Sequence, residues 1–194
     1  MTGDVIYPVV HFRKRERRAQ MRKVTFGGAN SLDNFIARKN DDVDWLLWNK
    51  EVTAISREFW RTIDTVVMGR RTYELTAKSG SGAYPGVKNY VFSRTLKKTS
   101  NSKVKLISTD AAEFVRQLKQ QDGKGICVIG GGVLARSLFE AGLIDEVGFN
   151  IHPVLLGSGI PLFYEMSRQI NLELLECRTL SNGCVVLRYK VISD

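Results

Sequence analysis

The sequence predicts an α/β fold with three layers: a mostly parallel, twisted sheet with helices on both faces and an antiparallel hairpin at the C-terminal end. Two observations predict it. From Lys23 onward, short apolar runs alternate with segments of helical periodicity, which is typical of a parallel sheet covered on both faces. The stretch 172–191 contains the pair Asn182-Gly183 between two strand-like segments, and that pair favours a tight hairpin turn.

The first half of the chain alternates strand, loop, helix, strand, helix and strand. The predicted bounds, in that order, are 24–29, 31–37, 44–63, 65–68, 70–75 and 90–93. The strands are short apolar runs. The long helix is predicted because Leu47, Ile55, Phe59 and Ile63 recur at helical spacing.

The second half continues the alternation. We predict a strand at 104–107, a helix ending at 121, a strand at 126–129, a helix at 133–141, a strand at 146–151 and the hairpin at 172–191. The first of these helices follows Ser108-Thr109-Asp110, with Glu113 shortly after, which is a capping pattern. Strands followed by glycine and a helix place those glycines at the carboxyl edge of the sheet, where open α/β sheets bind ligands.

Composition limits the class of protein. The 194 residues, 43% of them hydrophobic, suit a single domain with a sizeable core. No window approaches the roughly 18 apolar residues of a membrane span, and the N-terminus lacks a signal-peptide pattern, so we expect a cytoplasmic protein. The three cysteines are predicted to be reduced and structural, although Cys177 and Cys184 could face each other across the hairpin.

The N-terminal segment differs from the rest of the chain. Residues 1–20 contribute +3 of the net charge of +9 and include the run Arg-Lys-Arg-Glu-Arg-Arg. We predict a basic extension over 1–20 that is disordered or precedes a true start at Met21, and one domain over 21–194. Without a basic stripe interleaved with aromatic residues, no specific nucleic-acid partner is expected; binding through this extension is the weakest hypothesis.

The strongest local signal is a strand that runs into Gly130-Gly131-Gly132 and then into a helix. Glycines let a backbone pass close to a ligand, and the N–H groups of the following helix point at the same place, which suits a pyrophosphate. The spacing matches neither the dinucleotide motif G-x-G-x-x-G nor a P-loop.

Two further strand ends carry the same kind of signal. Gly69-Arg70-Arg71-Thr72 combines a glycine, two guanidinium groups and a hydroxyl at a helix start, and Ser93-Arg94 ends the next strand. Guanidinium groups suit phosphate because their planar fork donates two charge-assisted hydrogen bonds.

These segments resemble the dihydrofolate reductase superfamily. The resemblance rests on V-V-M-G-R-R-T-Y, V-F-S-R-T and V-I-G-G-G-V-L, in that order along the chain. The stretches A-N-S-L-D-N-F-I-A and H-P-V-L-L-G-S-G-I-P-L-F resemble one branch, the reductase domain of bifunctional riboflavin-biosynthesis deaminase-reductases and its stand-alone relatives. The resemblance covers 22–192 and implies a dihydrofolate-reductase-like fold, NADPH as cofactor and a homodimer.

The resemblance also implies which residues contact the cofactor. Those residues are Ala29, Ile36, Gly69, Arg70, Arg71, Thr72, Ser93, Arg94, Ile129, Gly131, Gly132, Val133 and Leu134. The glycines and Thr72 would hold phosphates, an arginine would hold the 2′-phosphate, and Ala29 and Ile36 would line the nicotinamide.

The catalytic group is less well defined. Folate reductases carry an acid on the helix before the M-G-R strand, where this chain has Thr53, so the resemblance favours a riboflavin-type substrate over folate. The candidates for the catalytic group are His152, Asn150 and Glu58, and those for the walls of the substrate pocket are Trp45, Trp48 and Asn150. The zinc deaminase signature is absent from the sequence, and no metal is expected.

The sequence therefore predicts an NADPH-dependent reductase that transfers hydride to a small heterocyclic or imine-like substrate, either a ribosylaminopyrimidine or a pterin-like ring. The alternative is a non-catalytic NADP(H)-binding module for sensing or scaffolding, which the missing acid motivates.

Overall fold

Residues 21–80 and 82–192 are described by the computed structural model; the predicted extension over 1–20 lies outside them. Strands and helices alternate along the described chain. The strands are β1 (Val24–Ser31), β2 (Phe35–Ala37), β3 (Ile63–Gly69), β4 (Lys88–Phe92), β5 (Val104–Ile107), β6 (Gly125–Ile129), β7 (Glu146–His152), β8 (Ile160–Pro161), β9 (Leu172–Thr179) and β10 (Val185–Val191). The helices are α1 (Lys50–Arg61), α2 (Arg70–Ser79), α3 (Ala111–Gln120) and α4 (Gly132–Glu140).

Eight strands form the main sheet in the order β5-β4-β3-β6-β1-β7-β10-β9. Every pair from β5 to β7 is parallel, whereas β10 is antiparallel to both β7 and β9. This confirms the predicted parallel sheet with a C-terminal antiparallel hairpin. The parallel strands bring the carboxyl ends of β3, β4 and β6 to one edge.

Consecutive residues of β3 face different layers. Val67 packs in a core with Leu118 of α3 and Leu138 of α4. Val66 belongs to a second core on the other face, with Tyr73 of α2. A strand buried on both faces has no polar side, and this explains the uninterrupted apolar run that predicted it.

Three features differ from the predictions. The helix expected over 44–63 begins only at Lys50, because the side chain of Asn49 accepts a hydrogen bond from the N–H of Val52 and caps it there. The predicted loop contains β2, which pairs with β8; both strands are too short to show a periodic pattern. Cys177 pairs with Leu187 in the hairpin and does not face Cys184, and the cysteines of the described chain are free.

No helix in the described ranges is long and apolar enough to cross a membrane.

Candidate functional site

A cleft with a volume of about 580 Å³ opens at the carboxyl ends of β3, β4 and β6. The N-termini of α2 and α4 form one part of its wall, and the β2 and β8 segments form another. The sequence places it there because each of the strands β3 and β6 turns directly into a helix through glycine.

The turn after β6 requires glycine for two reasons. Gly130 and Gly131 both have positive φ, 55° and 62°, a conformation that other residues adopt at a cost. A Cβ on Gly130 would also come within 2.5 Å of the hydroxyl oxygen of Thr72. At Gly69, by contrast, a Cβ would meet no atom within 4 Å, and at Gly131 it would stand 3.7 Å from the backbone nitrogen of Gly69. The two glycines therefore bring the N-termini of α2 and α4 close together with no side chain at either cap.

The N-termini of α2, α3 and α4 all line the cleft, and those of α2 and α4 differ from those of α1 and α3 in their caps. Asn49 and Asp110 cap α1 and α3, each accepting a backbone hydrogen bond of 2.9 Å, and both helices carry an acidic residue in the first turn. The caps of α2 and α4 are Gly69 and Gly131, with no side-chain cap and no acidic residue in the first turn. The N–H groups of α2 and α4 are therefore available to an anion.

Two of the arginines that line the cleft are held by neighbouring side chains. Arg70 donates to Glu74 at 2.6 Å and to Thr95 at 2.7 Å. Arg71 donates twice to one carboxylate oxygen of Asp41, at 2.6 and 3.0 Å. Asp41 lies in the loop after β2 and itself lines the cleft, so this ion pair joins the loop to the start of α2.

The other two cleft arginines, Arg94 and Arg136, are exposed and make no ion pair with any residue that the structure describes. Beside Arg94, the hydroxyl of Ser93 accepts hydrogen bonds from the N–H groups of Thr95 and Leu96, at 3.2 and 3.0 Å, and fixes the turn. The cleft thus contains two guanidinium groups that form no ion pair with a carboxylate of the described chain.

Asp33 holds the loops beside the cleft together. Its carboxylate accepts from the hydroxyl of Ser31 at 2.6 Å and from the N–H groups of Leu156 and Gly157 at 3.1 and 2.7 Å. These hydrogen bonds, the one from Ser31 first, hold the pKa of Asp33 below its usual value. The loop after β1 and the loop after β7 are fixed relative to each other as a result.

The structure brings eleven of the thirteen predicted cofactor residues together in the cleft. They are Ile36, Gly69, Arg70, Arg71, Thr72, Ser93, Arg94, Gly131, Gly132, Val133 and Leu134. Ala29 and Ile129 lie in β1 and β6 and do not line it.

The predicted catalytic and substrate residues lie elsewhere. His152 is only 1% exposed. Its Nδ1 accepts from the N–H of Leu47 at 3.1 Å and lies 3.5 Å from the sulfur of Cys184; its Nε2 lies 3.2 Å from the side-chain nitrogen of Asn150, and the ring of Trp45 packs edge-on against it. Burial lowers the pKa of His152. None of these five residues lines the cleft.

We call this group the His152 cluster (Trp45, Leu47, Asn150, His152 and Cys184). Its members contact one another, but not every buried polar atom among them forms a hydrogen bond. Asn150 Oδ1 and Trp45 Nε1 are buried and have no hydrogen-bond partner in the described chain.

Two other predicted residues are far more exposed. The side chain of Trp48 is 63% exposed. Glu58 borders a separate hollow of about 150 Å³ between α1 and the hairpin, together with Glu51 and Arg178. That hollow shares no residue with the cleft, so the structure does not bring Glu58 to the predicted cofactor site.

Other residues that line the cleft were not predicted, and three of them are Arg136, Tyr164 and Asp41. Arg136 follows Gly132 by one helical turn, so helical periodicity could have found it. Tyr164 and Asp41 also line the cleft. No local signal marks Asp41, because its partner Arg71 is 30 positions away in the sequence.

Comparison with known proteins gives a consistent result. The family model described as the RibD C-terminal domain matches residues 22–186. The uncharacterised protein YyaP of Bacillus subtilis is 34% identical over 182 residues, which cover 88% of this chain and 95% of that protein. The crystal structure of a putative riboflavin biosynthesis protein from Shewanella superposes with a TM-score of 0.74 at 25% identity, covering 88% of this chain and 99% of the other. Dihydrofolate reductase from Enterococcus faecalis, solved with NADP(H), superposes with a TM-score of 0.63 at 16% identity, covering 88% and 97%. The last likeness confirms the dihydrofolate-reductase-like fold.

Proposed function

Since the chain belongs to the RibD C-terminal domain family, we propose that it is an NADPH-dependent reductase that transfers hydride to a small heterocyclic or imine-like substrate. The observation that carries the proposal is the cleft, where two uncapped helix N-termini and two unpaired arginines meet. Such a site suits a ligand with several phosphate groups.

The two helix N-termini would hold the pyrophosphate. Neither cap residue, Gly69 or Gly131, has a side chain, and the space beside Gly69 is open, so a phosphate oxygen can approach the N–H groups closely. The absence of first-turn carboxylates in α2 and α4 removes the repulsion that an acidic residue would impose.

Arg94 and Arg136 would bind the 2′-phosphate that distinguishes NADPH from NADH. Both line the cleft and neither is neutralised by a carboxylate of the described chain, so each retains its donors for a ligand. Arg70 and Arg71 are already engaged by Glu74 and Asp41 and would have to exchange those partners.

The cleft also has apolar lining residues. Ile36, Ile160 and Tyr164 line it, and they would exclude water from the reacting atoms. When bound there, NADPH would supply the hydride. The protein contributes the orientation of the ring and a dry surrounding.

The substrate is better described as pyrimidine-like than as folate. Thr53 stands on α1 where the resemblance to folate reductases implies an acid, and its hydroxyl donates to the carbonyl oxygen of Asn49 at 2.9 Å. No carboxylate at that position can polarise a pterin ring. The name of the Shewanella protein, which contains "riboflavin biosynthesis", supports the ribosylaminopyrimidine class.

The experiment compares NADPH and NADH binding to the wild type, R94Q and R136Q by quenching of tryptophan fluorescence. Each charge-assisted contact contributes about 1.5–3 kcal/mol, so each variant should bind NADPH at least about 10-fold more weakly. NADH affinity should stay unchanged. Arg116, an exposed arginine of α3 outside the cleft, supplies the control variant R116Q. If the wild type binds NADPH and NADH with equal affinity, the proposal that these arginines bind the 2′-phosphate is wrong.

The second candidate function is a non-catalytic NADP(H)-binding module. One observation favours it: the predicted proton donors His152 and Glu58 both lie outside the cleft. Loss of NADPH absorbance should be followed with ribosylaminopyrimidines, oxidised pterins and quinones as substrates. Turnover of one of them supports the reductase, and tight binding without any turnover supports the module.

A further inference from the structure

The most exposed apolar side chains are not spread evenly over the surface. Within the described ranges, the four large apolar side chains with the greatest exposure are Met21, Leu32, Trp48 and Leu155, at 66%, 61%, 63% and 69%. Met21 precedes β1 and lies at the amino end of the sheet, whereas the other three follow strands at the carboxyl end. Scattered exposed leucines need no explanation, but exposed apolar side chains that share one place mark a binding surface.

Two of these side chains are brought together by the loops that leave β1 and β7. The two strands run parallel and remain paired up to Ser31 and His152. Leu32 follows Ser31 directly, and its N–H donates to the carbonyl oxygen of Val154 at 2.9 Å. Leu155 is the next residue along that loop. Leu32 and Leu155 therefore leave the sheet side by side.

Trp48 reaches the same strand ends through a different contact. The N–H of Leu47 donates to the ring of His152, the last residue of β7, at 3.1 Å. Trp48 is the next residue, and its side chain faces solvent while the backbone beside it is held to β7. We call these three exposed side chains the apolar rim (Leu32, Trp48 and Leu155).

The apolar rim is continuous with one wall of the cleft. The loops that carry Leu32 and Leu155 run on into β2 and β8, which pair with each other. Ile36 of β2 and Ile160 of β8 line the cleft. The carboxylate of Asp33 ties the two loops together through the hydrogen bonds described above. A ligand that lies against the β2 and β8 wall can therefore extend onto the rim.

The stretches that carry the rim contain no positive charge. Residues 29–37, 40–49 and 153–167 include no lysine or arginine. Their carboxylates are those of Asp33, Asp41, Asp42, Asp44 and Glu165. Arg38, beside the second stretch, is already paired with Asp44 at 2.7 Å. A phosphate group carries about −1.5 to −2 at neutral pH, so these stretches repel it, whereas the cleft arginines attract it.

We propose that the apolar rim binds the non-reacting part of the substrate, and that this part is apolar and carries no phosphate. The inference rests on the proposed reductase function and narrows its substrate to a pyrimidine-like ring with an uncharged, apolar substituent. Charge then keeps the two ligands apart, because the phosphates of the dinucleotide are attracted to the arginines and the substrate has none.

Binding to the full chain loaded with NADP⁺ tests the rim without requiring turnover. Three aminopyrimidine probes share one ring and carry a ribosyl 5′-phosphate, a ribosyl group or a hexyl group on the amino nitrogen. In titration calorimetry the hexyl probe should bind most tightly and the phosphorylated probe at least about 10-fold more weakly, because only the first buries apolar surface without placing a phosphate beside carboxylates. W48A should weaken the hexyl probe about 10-fold and leave the phosphorylated probe unchanged.

A lysine placed in the rim should change the preference. L155K should bind the phosphorylated probe about 3- to 5-fold more tightly, since it adds an exposed ion pair, and the hexyl probe more weakly. M21K adds the same charge at an equally exposed apolar residue away from the rim, and it should change neither affinity. K50Q removes the lysine nearest to Trp48 in the sequence and should leave the order of the probes unchanged.

Several results would overturn the proposal. These are a phosphorylated probe that binds the wild type as tightly as the hexyl probe, a preference that W48A and L155K leave unchanged, loss of the phosphorylated probe in K50Q, and binding of none of the three probes. NADPH absorbance then separates the rim from the reaction. Tight binding of the hexyl probe without oxidation of NADPH supports the rim as a ligand surface and contradicts the proposed reductase.

Discussion

Two polar groups of residues lie at the carboxyl end of the same sheet, and they differ in whether their polar atoms can be reached by a ligand from solvent. In the cleft beyond β3, β4 and β6, helix N–H groups and two arginines have no partner within the described chain. In the His152 cluster, both ring nitrogens of His152 contact neighbouring polar atoms of the protein. A histidine at a strand end therefore indicates a ligand site only when its hydrogen bonds are not already made inside the protein.

The comparison also separates two physical roles of polar groups. The cleft concentrates positive potential next to solvent, which attracts anions. In the second region, His152 is buried and fixes β7 against the segment before α1, since its ring holds the N–H of Leu47, 105 positions away in the sequence. We expect substitutions in the first region to change ligand affinity and those in the second to change stability.

The largest effect is expected from G131A. Gly131 caps α4 at φ 62°, and a Cβ there would stand 3.7 Å from the backbone nitrogen of Gly69, between the two helix N-termini where the pyrophosphate is proposed to lie. Loss of two or more charge-assisted hydrogen bonds predicts a fall in NADPH affinity of about 100-fold or more. The left-handed conformation costs alanine about 1–2 kcal/mol of stability as well.

Gly142 supplies the matched control for that substitution. It follows the other end of α4 with φ 66°, and a Cβ there would meet no atom within 4 Å. G142A should lose similar stability in urea unfolding and keep its NADPH affinity. Equal losses of affinity in both variants would mean that strain in α4, and not the space at Gly131, controls binding.

H152Q is expected to have an intermediate effect. It should change the free energy of unfolding and not the affinity for NADPH. Burial lowers the pKa of His152 below its ordinary value of 6.5, so the unfolded chain binds the proton more readily. Stability should therefore fall as the pH drops below about 6.5, by at most about 1.4 kcal/mol per pH unit. H152Q should remove this dependence, lower stability at pH 8 by about 1–3 kcal/mol, and leave NADPH affinity unchanged.

Urea unfolding at several pH values measures this, and the other histidine of the chain, His11, provides the control variant H11Q. H11Q should keep the slope below pH 6.5. A fall in NADPH affinity in H152Q comparable with that of G131A would contradict the division between the two regions.

The elements that the sequence predicts well are those with local causes. The strand-to-glycine-to-helix transitions at Gly69 and Gly131 are visible as apolar runs followed by residues of special backbone freedom, and both form walls of the cleft. The family and the fold class were also predicted correctly, because the motifs that indicate them are contiguous in the sequence.

Most of the features that were not predicted depend on distant contacts. The late start of α1 has one local cause, the Asn49 cap, and one distant cause, because His152 of β7 holds the preceding segment. The pairing of β2 with β8 joins positions more than 120 residues apart. Such contacts also decide whether a histidine side chain is accessible to a ligand or buried. They cannot be predicted from the residues next to the histidine in the sequence.

The smallest effect is expected from D41N, which tests the cleft from its acidic side. Two carboxylates line the cleft, those of Asp41 and Asp110, and Asp41 is the one that holds Arg71. Its φ is 73°, a conformation that asparagine tolerates, so the substitution removes charge without straining the loop. Because an exposed ion pair contributes about 1 kcal/mol or less, NADPH should bind roughly 2- to 5-fold more tightly. The gain should shrink at high salt, since salt screens exposed charges.

Asp44, in the same loop, pairs with Arg38 and does not line the cleft, so D44N should leave the affinity unchanged. Weaker binding in D41N would show that Asp41 positions Arg71 for the ligand and does not compete with it.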